Sequence, residues 1–318
     1  MWKKEVNDFL TYLKSVETSQ TFLSRCYHTN KLEEAETKSY QNCYRFLYYL
    51  EHGRTFYETS RNAPLMVKPI LLFYGMVHLL KACLLTKRPD YPENTSLLAH
   101  GVSTRKRKKQ QYSFWKDEVK IQHNGLFPYF SNVLFQIDPL KDRKIAMHRL
   151  FAHIPEVSRL IQFHHGSTPL IKIGSCQENQ LRFPLSCLDT YHVTETAFLS
   201  KMAAFFPPFL AKKTTKSHLI VDIPGPVTPH SQGPVFFDWE EESIFFPSGR
   251  EQFTEWHEIM AHYLLLYNLS MICRYETEWW GDLLHSLPNE DHPFIVHFLQ
   301  ITADKVPFLL GWYLYDQQ

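Results

Sequence analysis

The chain has 318 residues, 44% of them hydrophobic and 15% aromatic, with a formal net charge of +1. That length buries a sizeable core, and that composition excludes an intrinsically disordered chain. The near-neutral balance excludes a global field drawing the whole chain onto nucleic acid or membrane, so any electrostatic attraction has to be local.

In chain order, residues 2–24 place Val6, Phe9, Leu10, Leu13 and Val16 at helical spacing, and residues 32–57 repeat the pattern with Tyr40, Cys43, Tyr44, Leu47 and Leu50. Asn62-Ala63-Pro64 punctuates. Residues 69–85, PILLFYGMVHLLKACLL, are the most apolar run, yet they carry His78 and Lys81 and have Gly75 in the middle. As an α-helix this run rises about 25 Å, short of the roughly 30 Å hydrocarbon core of a bilayer. It therefore reads as a buried helix. Apolar side chains cover most of its circumference, so it needs neighbours on most sides, and the helical stretches at the two ends of the chain are the expected ones. Lys87-Arg88-Pro89 closes it, and residues 95–100 form one short turn before Gly101.

The texture then changes. Residues 112–123 are aromatic and β-branched, Asn124-Gly125 signals a two-residue hairpin, and 126–135 is expected to return as a strand that Pro128 confines to an edge or a bulge. Residues 142–163 are again predicted helical. Residues 170–174 and 180–185 predict a second hairpin around Gln177-Glu178-Asn179, and 194–206 a short helix stopped by Pro207-Pro208. Strands are predicted at 219–223, 235–239 and 243–246, cut by the Pro/Gly-rich link 224–234.

From Arg250 the helical pattern returns. Trp256, Ile259, Met260, Tyr263, Leu264, Tyr267, Leu269 and Ile272 make a wide apolar band; 276–287 and 293–303 are further helices, and 308–315 packs or frays at the end. The fold class that follows is α+β and predominantly helical. The N- and C-terminal helices share a core around a β-rich middle insertion. The parts are 1–104 (helical), 105–248 (mixed β/α) and 249–318 (helical, packing on the first), folding as one unit. Six scattered cysteines without a C-x-x-C pair read as reduced, buried thiols, and residues 1–10 lack the apolar stretch of a secretory signal.

Catalytic motifs are thin, and no catalytic residue or cofactor is expected. There is no G-x-x-x-x-G-K-[ST] and no G-x-S-x-G. His257-Glu258 is followed by His262 rather than by a histidine four residues after His257, so the second imidazole would turn about 140° away from a zinc-protease geometry. His164, His165, Cys176, Cys187 and His192 lack the close pairs of a structural zinc site, so no metal is expected. Arg105, Lys106, Arg107, Lys108 and Lys109 are five cations in a row, a solvated loop suited to an anion or an acidic partner face, with Tyr112, Phe114 and Trp115 behind it for stacking. Arg274, Glu276 and Trp279 stand at a helix corner where a guanidinium, a carboxylate and an indole could line a pocket. Thr277 there reads as an N-cap.

Three stretches, NAPLMVKPILLFYGMVHLLKACLL (62–85), LLAHG (97–101) and HYLLLYNLSMICRYETEWW (262–280), resemble the YaaC-like family of Bacillus-type bacteria. The resemblance implies a cytoplasmic bacterial protein and carries no catalytic residues over. Members tend to be encoded near the gene for IMP dehydrogenase, which implies a link to purine-nucleotide metabolism. The first stretch is also similar to HEPN-type helical domains, some of which are metal-independent ribonucleases using an Arg and a His with four to six residues between them, the Arg holding phosphate and the His moving a proton. The matching pairs are Arg45 with His52, Arg143 with His148, Arg159 with His164 or His165, and Arg250 with His257. With 17 histidines in the chain, such pairs arise by chance. The expected function is thus non-catalytic binding and regulation of a protein partner, IMP dehydrogenase being the one the resemblance suggests, with a nucleotide as signal. A HEPN-like ribonuclease or nucleic-acid binder is the alternative; no membrane partner is expected.

Overall fold

The computed structural model describes residues 2–104, 112–141, 143–229, 233–286 and 290–318. The chain opens with α1 (Trp2–Tyr12), α2 (Val16–Thr29), α3 (Ala35–Asn62) and α4 (Lys68–Leu85), then β1 (Val102–Ser103), β2 (Glu118–Ile121), α5 (Leu126–Phe135) and β3 (Lys144–Ala146). It continues through α6 (Met147–Phe151), α7 (Ser158–His165), β4 (Leu170–Ser175), β5 (Gln180–Pro184), α8 (Ser186–Tyr191) and α9 (Glu195–Met202). After these come β6 (Ala211–Thr214), β7 (His218–Asp222), β8 (Phe236–Asp238) and β9 (Ser243–Pro247). It closes with α10 (Glu258–Tyr275), α11 (Thr277–Ser286) and α12 (Asp291–Tyr315). The fold is α+β and predominantly helical. Two compact units emerge, Met1–Met147 with His262–Gln318, and His148–Ala261.

In the first unit, helices from both ends of the chain bury one interior. Apolar α4 packs along α3, α5 and α12, and α1 packs on α12 with Trp2 and Trp312 ring centroids 5.0 Å apart. Both α4 and α12 are long and apolar enough to cross a membrane, yet 67% of each apolar window is buried inside the protein, as in core helices. Tyr263, on the part of α10 that belongs to this unit, is fully buried among Phe73, Phe127 and Phe130 and donates its hydroxyl to the His100 carbonyl at 2.9 Å. A three-stranded antiparallel sheet, order β1-β2-β3, completes the unit.

The second unit carries two further antiparallel sheets, β4-β9-β8 and β5-β7-β6. Phe183 of β5 meets Phe246 of β9 at 5.4 Å and Phe198 of α9 at 5.2 Å, so aromatic rings join the two sheets and the helix. The register slips between Lys172 and Gly174, a bulge in β4.

Several predicted elements are corrected. Residues 126–135 form helix α5, not an edge strand: a ten-residue apolar run has no period that separates the two, and Pro128 in a first turn removes no helical hydrogen bond. Gly125, at φ +124°, turns the chain into that helix, while β2 finds its partners in β1 and β3. Within 142–163, Lys144–Ala146 is a strand, and Pro155 separates α6 from α7. β4 and β5 form no hairpin ladder, because β4 pairs with β9 and β5 with β7. The predicted helix 2–24 breaks at Ser15, whose hydroxyl accepts from Thr18 N at 3.2 Å and caps α2. β6 was not expected, and 308–315 continues α12. The predicted middle part, 105–248, compares with a compact unit of 148–261, residues 112–146 lying with the helical ends.

Candidate functional site

The basic run Arg105, Lys106, Arg107, Lys108 and Lys109 lies outside the described residues. The segment after it is firmly held. Asp291, at the start of α12, accepts Phe114 N at 2.7 Å, Trp115 N at 2.9 Å and Ser113 Oγ at 3.2 Å, and burial pushes its carboxyl up against those hydrogen bonds. Tyr112 donates its hydroxyl to Asp117 Oδ2 at 2.7 Å, and Asn268 Nδ2 donates to the same oxygen at 2.9 Å.

The predicted trio Arg274, Glu276 and Trp279 divides between two neighbourhoods. Trp279 packs edge-on against Tyr112 at 4.8 Å, and Glu276 is one of the charges that, after burial, Asp117 and Asp291, push the Tyr112 phenol upward. Glu276, not Thr277, precedes the first residue of α11, and its carbonyl accepts Trp280 N at 2.9 Å. Arg274 faces elsewhere. Its Nε donates to Ser270 O at 3.1 Å, Nη1 to the Tyr74 hydroxyl at 3.4 Å, and Nη2 to Met271 Sδ at 3.1 Å, with the guanidinium 6.0 Å from the Tyr74 ring centre.

Tyr74 opens a half-buried strip that no linear motif announces. Along α4, Tyr74, His78 and Lys81 stand at i, i+4 and i+7, one helix face. From α3, Tyr49, His52 and Phe56 meet the same imidazole: His78 lies 5.1 Å from His52, 6.0 Å from Tyr49 and 5.7 Å from Phe56, nearly parallel to the last at 13°. His100 adds a third imidazole, 6.1 Å from Tyr74 and 5.7 Å from Tyr267. Lys81 Nζ lies over the Tyr49 ring at 5.7 Å.

The electrostatics are one-sided. Burial pulls His78 down to about 4, with help from Lys81 and His52. Burial also lowers His100, followed by Arg274 and then Lys81, so both cations act on one imidazole. Lys81 itself is lowered by burial. No carboxylate is among the groups that shift these three. Among the described residues neither Lys81 nor Arg274 forms an ion pair, and His78 Nδ1 is buried without a hydrogen-bond partner. Such an arrangement offers hydrogen-bond donors, positive charge and flat rings to an anion.

Of these residues Arg274 is a candidate from the sequence, and His78 and Lys81 stand out there as polar residues within an apolar run. The missing signal was their spacing with Tyr74, which sets all three on one face. His52 stands in the sequence only as a partner for Arg45, and His100 only within LLAHG; neither points to the strip.

The second unit offers less. Burial pushes the Cys176 thiol up to about 12 and Cys187 up to about 11, which disfavours thiolate ligands. Among the described residues no group of His, Cys, Asp and Glu is placed to hold a metal ion. His148 stands on α6, and His257 Nδ1 accepts Ile259 N at 3.1 Å. Separately, in the first unit, His262 Nδ1 meets Thr302 Oγ1 at 2.7 Å.

The three stretches that carry the family resemblance thus supply most of the strip: Tyr74, His78 and Lys81 from the first, His100 from the second, Tyr267 and Arg274 from the third. Compared with known proteins, the chain matches the family model described as YaaC-like Protein over residues 11–314, which leaves the HEPN-like resemblance unsupported. No curated protein and no solved structure matches it. A match over nearly the whole length makes this chain a member of the YaaC-like family.

Proposed function

We propose that this protein binds and regulates, without catalysing a reaction, in the bacterial cytoplasm. Its target is a protein partner, a purine-nucleotide enzyme such as IMP dehydrogenase being the one the family resemblance suggests, and its input is an anionic ligand on the strip. The supporting observation is the pair of half-buried cations, Lys81 and Arg274, beside three imidazoles and several rings, with no carboxylate in an ion pair with either among the described residues. Charge held that way favours an incoming anion. The test is direct: purified protein and purified IMP dehydrogenase, examined for complex formation and for a change in the enzyme's kinetics. Binding that Arg274→Gln weakens supports the reading; absence of both binding and kinetic effect removes that partner.

A second reading, a HEPN-like ribonuclease or RNA binder, draws on one feature. Arg45 and His52 lie two turns apart on α3, and His52 meets the strip through His78. Arg45, however, spends Nη1 on the Tyr91 carbonyl at 2.9 Å. Incubation with RNA decides: cleavage abolished by His52→Ala would replace the regulatory reading.

A further inference from the structure

We propose that the strip formed by Tyr49, Phe56, Tyr74, His78, Lys81, His100 and Arg274 is a binding site for a phosphate monoester carried on a flat aromatic group. This names the ligand of the regulatory reading above and rests on it.

The first argument is a count of donors. Arg274 uses Nε, one Nη1 proton and one Nη2 proton on Ser270, Tyr74 and Met271, which leaves a further N–H on each Nη. Lys81 makes no hydrogen bond within the described residues and only lies over the Tyr49 ring. The Tyr74 oxygen accepts from Arg274, so its proton is free to donate outward. These groups give far more than they accept. Their complement is an oxygen-rich anion, and two cations are matched in charge by a dianion.

The second argument is placement. Tyr74 and Lys81 are seven residues apart on α4, about 10 Å along the helix. Arg274 reaches in at the Tyr74 end and Lys81 at the other, and His100 feels both charges. Both side chains are long enough to converge on one group between them. Nearby, the Phe56 and His78 rings lie nearly parallel, flanked by Tyr49 and Tyr74, and offer faces to a planar group. A bare anion would leave those faces unused.

The third argument is the unmet polarity. His78 Nδ1 is buried and unpartnered. A phosphate oxygen gives a protonated imidazole its partner and opposes the positive charges that keep that proton off. The groups bearing on the two histidines are His52 and Tyr49 from α3, Tyr74 and Lys81 from α4, and Tyr267 and Arg274 from α10. With cations dominant, a dianion raises both imidazoles, and by reciprocity affinity grows as pH falls.

The experiment uses the full chain and isothermal titration calorimetry with inorganic phosphate, phenyl phosphate, phenol and inorganic sulfate. Phenyl phosphate is expected to bind at least tenfold more tightly than inorganic phosphate, and phenol not to bind. Lys81→Met and Arg274→Gln are each expected to lose tenfold or more. Sulfate, a dianion throughout, is expected to bind more tightly at pH 5 than at pH 7, the window set by two imidazoles lowered below 6.5, which separates titration of the protein from titration of the ligand. In the unsubstituted protein, phenyl phosphate is expected to move the imidazole resonances of His78 and His100, a readout that survives any folding defect in the variants. Absence of saturable binding of phenyl phosphate at millimolar concentration overturns the proposal, as does binding that both substitutions leave unchanged. Tight binding of an RNA oligonucleotide that phenyl phosphate does not displace overturns it too. Partner binding that persists without phosphate binding sinks only the ligand class; phosphate binding without any partner sinks only the regulatory reading.

Discussion

Gly53 of α3 and Gly75 of α4 meet where the two helices cross: a Cβ on Gly53 would stand 3.2 Å from the Gly75 carbonyl oxygen. A Cβ on Gly75 would meet Tyr57 Cδ2 at 2.8 Å and Phe56 Cβ at 3.1 Å. Two missing side chains therefore let the helices approach, and His52 and Phe56 reach His78 across the crossing.

Gly75→Ala tests that closeness. Alanine gains about 1 kcal/mol of helix propensity, whereas overpacking a core costs about 1–3 kcal/mol. The atoms in the way are the Tyr57 ring and Phe56 Cβ, with little freedom to yield, so a net loss of about 1 kcal/mol is expected, or a fall in Tm of about 2–4 °C. Gly53→Ala should cost less, because the nearest atom it meets is Leu79 Cδ2, the end of a flexible side chain. Scanning calorimetry on both variants checks the order, and a higher Tm for Gly75→Ala would show that the crossing is not tight.

Asp291 is the anchor for the segment that follows the basic run. Asp291→Ala strands the Phe114 and Trp115 amides, one of them on a buried residue. The expected loss is about 2–4 kcal/mol, since a buried donor left unsatisfied costs about 1–3 kcal/mol. Asp291→Asn, which keeps one carbonyl oxygen, should lose less. Urea midpoints with unchanged slope would register both. An Asp291→Ala midpoint equal to that of the unsubstituted protein would mean that other groups hold this segment.

Much of the helical fold was legible in the sequence because α3, α4, α10 and α12 carry long apolar patterns with a helical period. The α5 stretch was not, since LFPYFSNVLF suits a buried strand as well as a buried helix. Strand partners were hidden for another reason. Phe183 pairs with Leu219, and Ile171 with Phe246, across chain separations that local turn signals do not report. The strip was hidden in the same way: His52, His78, His100 and Arg274 come from four segments, and none points to the others until α3, α4, α10 and the connection at His100 bring them together.

His153 gives the second unit a pH response. It is buried, lies parallel to Phe236 at 5.6 Å and has no partner for Nδ1, and burial, with a smaller contribution from Arg149, pulls it down to about 4. A histidine lowered in the folded state binds its proton more readily when unfolded. Stability is therefore full above about pH 6.5 and declines as pH falls from there toward 4. A shift of this size is worth on the order of 3 kcal/mol. His153→Phe keeps a ring against Phe236 and removes the titration, so its stability should decline less over that window. Denaturation followed by tryptophan fluorescence at pH 7 and pH 4.5 makes the comparison; equal losses in the two proteins would exclude His153 as the source.

Lys81 and Arg274 act on the imidazoles of the strip differently, and that difference is measurable. Lys81 lowers both His78 and His100, whereas Arg274 contributes to His100 and is not among the groups lowering His78. Removing a nearby positive charge eases protonation, so the affected imidazole must rise. Lys81→Met is accordingly expected to raise both histidines, and Arg274→Gln to raise His100 while leaving His78 in place. Histidine ring resonances followed by NMR from pH 4 to 8 provide the readout, with His52→Ala as a reference that raises His78 alone. Burial is the larger influence on both groups, so neither variant should return them to the ordinary value of about 6.5. Should Arg274→Gln raise His78 as much as His100, the guanidinium would stand closer to the middle of α4 than its bonds to Tyr74 and Ser270 place it. Should Lys81→Met move neither, its ammonium would be facing solvent, and the strip would lose one of the two charges on which its attraction for an anion depends.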